Sequence, residues 1–340
     1  MKAAICTGYG SPDLVQIRDV PKPAPRQGEV LIKVYAATVN RTDCGVLRAH
    51  PFPIRFIYGW NGPKQPILGM DFAGEVEALG AGATKFAIGD RVFGMQSMLR
   101  LGAHAEYMCA PESPYLALMP AGLQFDEAVV CEGAYYAYCS LKALHLESGR
   151  NILIYGASGA IGSAAVQLAK ALGAKVTAVV ASRHVDLAKS LGADCVVDYT
   201  KGDFSKIGEK FDCILDAVGK TTFFRCRRLL KVGGQFAATD AGPGGQTLLL
   251  MLWTSLTGSK RVFCVMPRRY PEFNDYLKGL MDAKRFRAVI DRRYPFDQIA
   301  DAYRYVETGQ KTGIVVVQAP DFSPSSQPPS RHGAAPKNQS

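Results

Sequence analysis

The stretch Asn151 to Lys170, NILIYGASGAIGSAAVQLAK, decides the architecture. Asn151 to Tyr155 reads as a buried strand, Gly156-Ala157-Ser158-Gly159-Ala160-Ile161-Gly162 as a tight turn, and Ile161 to Ala171 as an amphipathic helix. Glycines let the backbone bend sharply and approach a pyrophosphate, while the free N–H groups of the helix start, at its partial positive end, suit phosphate oxygens. A glycine pattern alone is a weak signal. With a strand before it, a helix after it and a second strand at Lys175 to Val180, it reads as a dinucleotide-binding crossover.

Downstream the alternation continues. Strands are expected at Cys195 to Val197, Cys213 to Asp216 and Gly234 to Ala238, with helices at about His184 to Leu191 and Thr222 to Leu230. That order is the signature of a parallel sheet. Which dinucleotide it holds depends on the end of the second strand, where an Asp or Glu would bond a ribose 2′-hydroxyl and repel a 2′-phosphate. The chain has Val179-Val180-Ala181-Ser182-Arg183-His184 there, with no acid. Ser182 can donate a hydrogen bond and Arg183 can pair with a dianionic phosphate, so NADPH is the expected cofactor. Arg183 and His184 would also suit the solvated first turn of a surface helix.

Upstream, Val30 to Val39 (VLIKVYAATV), Ala73 to Leu79 and Gly89-Asp90-Arg91-Val92-Phe93-Gly94 are short strands with turn punctuation, which predicts a barrel-like β domain. The final apolar strand, Gly313 to Val317, is expected to rejoin it, making the nucleotide-binding unit an insertion. The predicted domains are therefore 1–123 with 264–318, and 124–263. The Pro- and Ser-rich segment 319–340 is expected to be a disordered tail.

At 340 residues the chain exceeds what one core usually organises, and 48% hydrophobic with 21% charged residues suits a compact protein. The most apolar run, Thr247 to Leu256, is far short of the roughly 20 residues that cross a bilayer, so no membrane span is expected. The start, MKAAICTGYGSPDLV, has neither signal-peptide nor transit-peptide character, and a cytoplasmic location is the expectation. Nine cysteines without a CxxC read as scattered reduced thiols. The net charge of +10 suits a polyanionic small molecule, and taken alone it equally suits nucleic acid or anionic lipid. Nucleic acid is not expected, because the basic residues are dispersed and no aromatic-interleaved motif accompanies them.

Val39-Asn40 with Asp43, Gly69-Met70-Asp71-Phe72-Ala73-Gly74, Gly89-Asp90-Arg91-Val92, the glycine turn, Leu191-Gly192-Ala193-Asp194 and Lys311-Thr312-Gly313 follow one another in an order and spacing that resembles the medium-chain dehydrogenase/reductase superfamily. Within it the chain is similar to the zinc-free quinone oxidoreductase-like (zeta-crystallin-like) branch, over about residues 1 to 318. The resemblance implies an α/β protein in which a GroES-like, mostly-β catalytic domain is split by an inserted Rossmann-type doubly wound parallel sheet. It also implies an active site in the cleft between them, and a homodimer.

For single residues the resemblance implies that Tyr199 joins Ser182, Arg183 and His184 around the adenosine 2′-phosphate; taken alone, Tyr199 reads as a packed aromatic. Asn40 would donate to a substrate oxygen or the nicotinamide ribose. Asp43 would fix the loop, and by itself reads as a turn residue bonding local backbone. Tyr135 and Tyr136 fall near the nicotinamide, with the Tyr135 hydroxyl as proton donor, and Val218, Gly219 and Thr239 close the cofactor groove. Tyr58 and Trp60, in the aromatic loop Pro51 to Pro66, suit an apolar lid over a flat substrate or simple loop packing. Cys131, on a helix face, has the environment of an inert thiol.

Zinc-dependent relatives carry a Cys and a Gly-His-Glu motif where this chain has Asn40 and Gly69-Met70-Asp71, and a four-cysteine lobe that it lacks. No metal is expected, since zinc needs such soft ligands in a near-tetrahedral set, and the isolated His50 and His104 read as ordinary hydrogen-bonded residues. Without a metal, hydrogen-bond donors must polarise the substrate, which favours acceptors such as quinones and α,β-unsaturated carbonyls. The expectation is a zinc-independent, NADPH-dependent oxidoreductase acting on that small-molecule class by hydride transfer. The alternative is an NADPH-binding redox-responsive or scaffolding protein with little turnover.

Overall fold

The computed structural model describes residues 1–52, 54–257 and 259–319. The tail expected at 319–340 lies, from residue 320 onward, outside the described residues. The chain forms two compact units: Met1–Val129 with Arg293–Arg304 and the chain from Val316, and Val130–Arg292 with Tyr305–Val315.

In the first unit an antiparallel pair, β1 (Lys2–Cys6) and β2 (Val15–Asp19), precedes β3 (Glu29–Val39), β4 (Asp71–Leu79), β5 (Arg91–Met95), β6 (Tyr107–Pro111) and β7 (Leu116–Leu118). β3 is apolar on both faces because it is covered on both, and it pairs antiparallel with β4 and with β6. Two register shifts against β4, between Leu31 and Ile32 and between Val34 and Ala36, bend it, as bulges do at barrel corners. Val30, Ile32, Val34, Phe72, Val76, Val92, Met108 and Leu116 fill the interior. Helices α1 (Arg41–Arg48), α2 (Ile54–Tyr58) and α3 (Phe125–Ala128) complete this part.

The second unit opens with α4 (Cys131–Ala143) and then alternates: β8 (Asn151–Tyr155), α5 (Ala160–Ala171), β9 (Lys175–Val180), α6 (Val185–Ser190), β10 (Cys195–Asp198), β11 (Phe211–Asp216), α7 (Phe223–Cys226), β12 (Leu230–Ala238), α8 (Gln246–Thr257), β13 (Arg261–Cys264) and α9 (Phe273–Asp282). The strands lie in the order β10-β9-β8-β11-β12-β13, and the pairings are parallel. The direction of winding reverses between β8 and β11, which opens a crevice at the carboxyl ends of those strands, where open α/β sheets bind ligands. α5 approaches α4 closely because both are small there: a Cβ added to Gly133 would lie 3.1 Å from the Ala160 Cβ.

Two expectations change. The helix expected at Thr222 to Leu230 is a single turn, Phe223–Cys226, because Leu229 and Leu230 turn into the core with Phe223 and Cys226 and β12 starts at Leu230. Residues 264–292, expected with the first domain, cluster with the second unit. There Phe273 of α9 packs edge-on against Tyr135 of α4, with ring centroids 4.9 Å apart.

The chain ends in β14 (Ile290–Pro295), α10 (Ile299–Glu307) and β15 (Ile314–Gln318). β15 lies beside β3 in the sheet order β14-β15-β3-β4-β5-β7, and Ala319 N–H donates to Tyr35 O at 3.0 Å. No helix among the described residues is long and apolar enough to cross a membrane.

Candidate functional site

Gly156, φ +76, makes the turn out of β8, and Gly159, extended at φ −76 and ψ 176, caps α5. Gly162 faces back on the turn so closely that a Cβ there would stand 2.1 Å from Gly156 O. The first N–H groups of a helix have no intrahelical acceptor. Those of Ala160, Ile161 and Gly162 are therefore presented beside a turn without side chains at positions 156 and 159. Ser158 O accepts the Gly313 N–H at 2.7 Å, so the Lys311-Thr312-Gly313 segment runs along the same turn. This cradle fits a dinucleotide pyrophosphate: its donors are backbone, and a Cβ added at 159 would meet nothing nearer than 3.7 Å.

At the end of β9 the structure brings together Ser182, Arg183 and His184, and adds Asp198, Thr200, Gln310 and Thr312. The Ser182 hydroxyl donates to Asp198 Oδ2 at 2.5 Å, and Thr200 Oγ1 donates to Asp198 Oδ1 at 2.6 Å. These hydroxyls hold the Asp198 carboxyl below its usual range. An acid does therefore stand here, contrary to the reading of the second strand alone; it arrives from β10, whose Asp198 pairs with Val180. Arg183 Nη2 lies 3.5 Å from Gln310 Oε1, and His184 Nε2 lies 2.9 Å from Thr312 Oγ1. Burial, then the Arg183 guanidinium, lowers the His184 pKa, so at neutral pH His184 contributes hydrogen bonds rather than charge. Tyr199 is exposed, not packed, with its ring 6.2 Å from that of Tyr155.

The crevice's other wall is the turn after β11. Asp216 is fully buried and accepts the N–H groups of Val218 (3.1 Å), Gly219 (3.0 Å) and Thr221 (2.9 Å). Val218 packs on Gly156, and Thr239 N–H donates to the backbone carbonyl of Asp216 at 3.2 Å, so the predicted Val218, Gly219 and Thr239 gather around one residue, the first two at its carboxylate and Thr239 at its main chain. Asp216 was missed by the sequence reading. Burial raises its pKa, and the backbone N–H groups of Thr221, Val218 and Lys220 oppose the rise.

In the first unit, Asn40 ends β3 and caps α1. Its N–H donates to Asp43 Oδ2 at 2.8 Å while its side chain accepts the Asp43 N–H, a reciprocal capping box. Asn40 Nδ2 donates to Thr38 Oγ1 (2.8 Å), which donates to Asp71 Oδ2 (3.2 Å). Asp43 is thus a positioning residue for Asn40, and Asp71, within the quoted Gly69 to Gly74 stretch, is a second one that sequence reasoning did not single out. Trp60 is 56% exposed and clusters with Phe52 and Phe56, ring centroids 5.8 and 5.5 Å from its own. Tyr58 is buried instead of sharing that face, which corrects its place in the apolar lid.

Tyr135 also departs from expectation. It is buried, its hydroxyl donates to Arg268 O and accepts the Tyr270 N–H at 3.3 Å, and its ring is held by Phe273. An oxygen engaged in this way is no proton donor to a substrate, so that role is withdrawn. Tyr136 is partly exposed, and Cys131 is fully buried.

Among the described residues, no group of three His, Cys, Asp or Glu side chains is placed to hold a metal ion. His104 is buried, with Nε2 2.8 Å from Thr38 O and Nδ1 3.2 Å from the Tyr303 hydroxyl, which a neutral ring satisfies by donating from Nε2 and accepting at Nδ1. Burial pushes its pKa down to about 4, while the Thr38 carbonyl opposes the shift. The unfolded chain therefore takes up this proton first as pH falls. The contribution is complete above the ordinary histidine value and is lost between it and about pH 4, a loss of about 3 kcal/mol. Urea unfolding is expected to show that much more acid destabilisation in the wild type than in His104→Gln; parallel pH curves would refute the assignment.

A zinc-binding dehydrogenase family model matches residues 191–317, and an alcohol dehydrogenase GroES-like domain model matches residues 26–121. The chain is 33% identical to 2-methylene-furan-3-one reductase of Solanum lycopersicum, over 93% of this chain and 79% of that one. It is 29% identical to the chloroplastic NADPH-dependent alkenal/one oxidoreductase of Arabidopsis thaliana, with the same coverage of 93% and 79%. Among solved structures it resembles the quinone oxidoreductase from Coxiella burnetii, at TM-score 0.83 and 27% identity, over 94% of this chain and 99% of that one. A GroES-like unit joined to a doubly wound sheet with a glycine-lined phosphate turn defines a nicotinamide-dependent oxidoreductase. The chain belongs to the medium-chain dehydrogenase/reductase superfamily.

Proposed function

We propose that the chain reduces quinones or α,β-unsaturated carbonyl compounds, with NADPH as reductant and no metal ion taking part. The observation that carries this reading is the fixed amide of Asn40. Its oxygen faces the Asp43 N–H and one of its N–H bonds goes to Thr38, so the second N–H is a donor of set direction for a substrate oxygen. A hydrogen bond of this kind stabilises the charge that develops on an enone or quinone oxygen, and it needs no rotation at the moment of reaction. Phe52, Phe56 and Trp60 offer exposed ring faces to a flat, apolar acceptor.

A metal-free reaction is supported by the residues themselves: Asn40 and Met70 stand where the zinc-dependent pattern carries a thiolate and an imidazole. The residues that would hold the cofactor are those of the Gly156 to Gly162 turn, Val218, Gly219 and Thr239, with Ser182, Arg183 and Tyr199 at the adenosine end. When bound, it supplies the hydride from its nicotinamide. NADPH is favoured by Arg183 and by the cofactor named for the Arabidopsis relative; the acceptor class agrees with the names of all three similar proteins.

The test is the oxidation of NADPH, followed by absorbance, with chelator-treated protein and a panel of quinones and enones. Steady turnover is expected. Tight NADPH binding with no turnover across the panel would overturn the enzymatic reading in favour of a redox-responsive binder. Asn40→Ala is expected to lower kcat/KM about 100-fold, the size of losing one oxyanion donor, with the nucleotide Kd unchanged. The same variant loses a helix cap worth about 1 kcal/mol, so a thermal melt is needed to separate the two effects. Unchanged kcat/KM in folded protein would remove Asn40 from the chemistry.

A further inference from the structure

The end of β3 is surrounded by polar side chains where apolar ones would pack as well. Thr38, Asp71 and Tyr303 are 0% exposed and His104 is 1% exposed. Buried polar groups cost free energy unless bonded, and replacing both partners of a bond by apolar groups of the same shape can be nearly neutral for stability. Packing therefore does not account for a histidine facing a tyrosine at this place. The bonds they make do.

Those bonds run in one line. The Tyr303 hydroxyl donates to His104 Nδ1 at 3.2 Å, which leaves the ring proton on Nε2, and Nε2 donates it to Thr38 O at 2.8 Å. The tyrosine thus selects the tautomer that the carbonyl needs. The main chain of His104 is tied on both sides, its N–H to Leu68 O (3.0 Å) and its carbonyl to the Ala4 N–H (2.9 Å). Gly69 makes room for the ring: a Cβ there would lie 2.5 Å from His104 Cδ2. The Gly69 carbonyl also accepts the Gly102 and Ala103 N–H groups (3.1 and 3.2 Å), so the imidazole is fixed against the segment that leads into Asp71.

Thr38 lies one residue past the last pair of β3 with β4, Ala37 with Phe72. Its carbonyl belongs to the peptide unit that leads through Val39 into Asn40, and its hydroxyl accepts from Asn40 Nδ2 at 2.8 Å. Asp71 holds the hydroxyl and His104 holds the carbonyl. Because a threonine side chain is stiff at its first torsion, fixing the peptide plane also fixes Oγ1, and with it the direction of the second Asn40 N–H. We infer that His104 and Tyr303 are positioning residues for Asn40, acting through Thr38. Both are buried, so they aim the donor without meeting the substrate. The inference rests on the reading of Asn40 as donor to a substrate oxygen, and names what sets its aim.

Tyr303→Phe removes one oxygen and keeps the ring. It is expected to lower kcat about tenfold with KM within about twofold, the split of an interaction realised only in the transition state. His104→Leu should lose as much, and His104→Gln, whose amide can still donate to Thr38 O, should recover most of it. Whether the effect passes through the amide is decided in the Asn40→Ala background. There Tyr303→Phe should cost less than about twofold, whereas a general loosening of the fold would cost about tenfold again. Nitrogen-15 spectra of the imidazoles give a readout free of turnover. The chain has five histidines, and the His104 signal is assigned by its loss in His104→Gln. It should show a neutral ring protonated at Nε2 in the wild type and a mixture of tautomers in Tyr303→Phe. Wild-type kcat in folded Tyr303→Phe, a full loss in the Asn40→Ala background, or a wild-type ring protonated at Nδ1 overturns the inference and leaves the reaction standing. Unchanged kcat/KM in Asn40→Ala removes instead the reading of Asn40, and this inference with it.

Discussion

Gly162→Ala is expected to weaken dinucleotide binding by at least about 100-fold and to lower Tm by about 5 °C. The added Cβ would lie 2.1 Å from Gly156 O and 2.7 Å from Ala157 Cα, both backbone atoms of the turn and neither able to rotate away. α5 must therefore retreat from β8. Overpacking of this kind costs about 1 to 3 kcal/mol, which sets the size of the Tm shift. The retreat also moves the N–H groups that would face the phosphates, where a small displacement removes several bonds together. Gly159→Ala separates the two effects. Its φ of −76 suits any residue and its Cβ would find nothing within 3.7 Å, so stability should hold while the methyl group enters the phosphate cradle and weakens binding about tenfold. Isothermal titration with NADPH, alongside thermal melts, decides both. Wild-type affinity in Gly162→Ala would show that this turn is not the nucleotide cradle, and equal Tm losses in the two variants would refute the clash.

The framework was readable because its signals are local. Asn151–Tyr155 and Lys175–Val180 are found at the predicted residues, since a buried parallel strand is a short apolar run closed by glycine or polar punctuation. Where periodicity misled, it did so for a physical reason. Phe223, Cys226, Leu229 and Leu230 have helical spacing, but one helical turn followed by a strand buries the same four side chains. Half of the aromatic patch was also open to reading. Phe52, Phe56 and Trp60 recur at intervals of four and cluster although only Phe56 lies in the short helix α2, whereas Tyr58 falls between them and turns inward. What the chain alone did not reveal depends on distant partners. Nothing near Tyr135 announces that its hydroxyl will meet the carbonyl of Arg268, 133 residues away. Asp198 is a comparable case, because the parallel register of β10 against β9, not the local sequence, carries its carboxylate to Ser182.

That carboxylate sets up the second large effect, on the choice between NADPH and NADH. Arg183→Ala is expected to weaken NADPH about 10- to 100-fold, the range of a charge-assisted hydrogen bond, and to leave NADH within about twofold. Asp198→Asn is expected to act in the opposite direction. The Ser182 hydroxyl has one proton and gives it to Asp198 at 2.5 Å, so in the present arrangement it is not offered to a 2′-phosphate. Its bonds from Ser182 and Thr200 also keep Asp198 ionised, and a fixed negative charge beside Ser182 repels a phosphate dianion while accepting from a ribose 2′-hydroxyl. Neutralising it should tighten NADPH several-fold and loosen NADH, widening the preference by about tenfold. The wild type would then be a compromise, with a cation and an acid contending for one ribose, and able to accept both nucleotides with a bias set by Arg183. Dissociation constants for both cofactors against both variants test this directly. Equal losses in Arg183→Ala would remove the phosphate assignment, and an unchanged ratio in Asp198→Asn would show that the carboxylate does not reach the bound ribose.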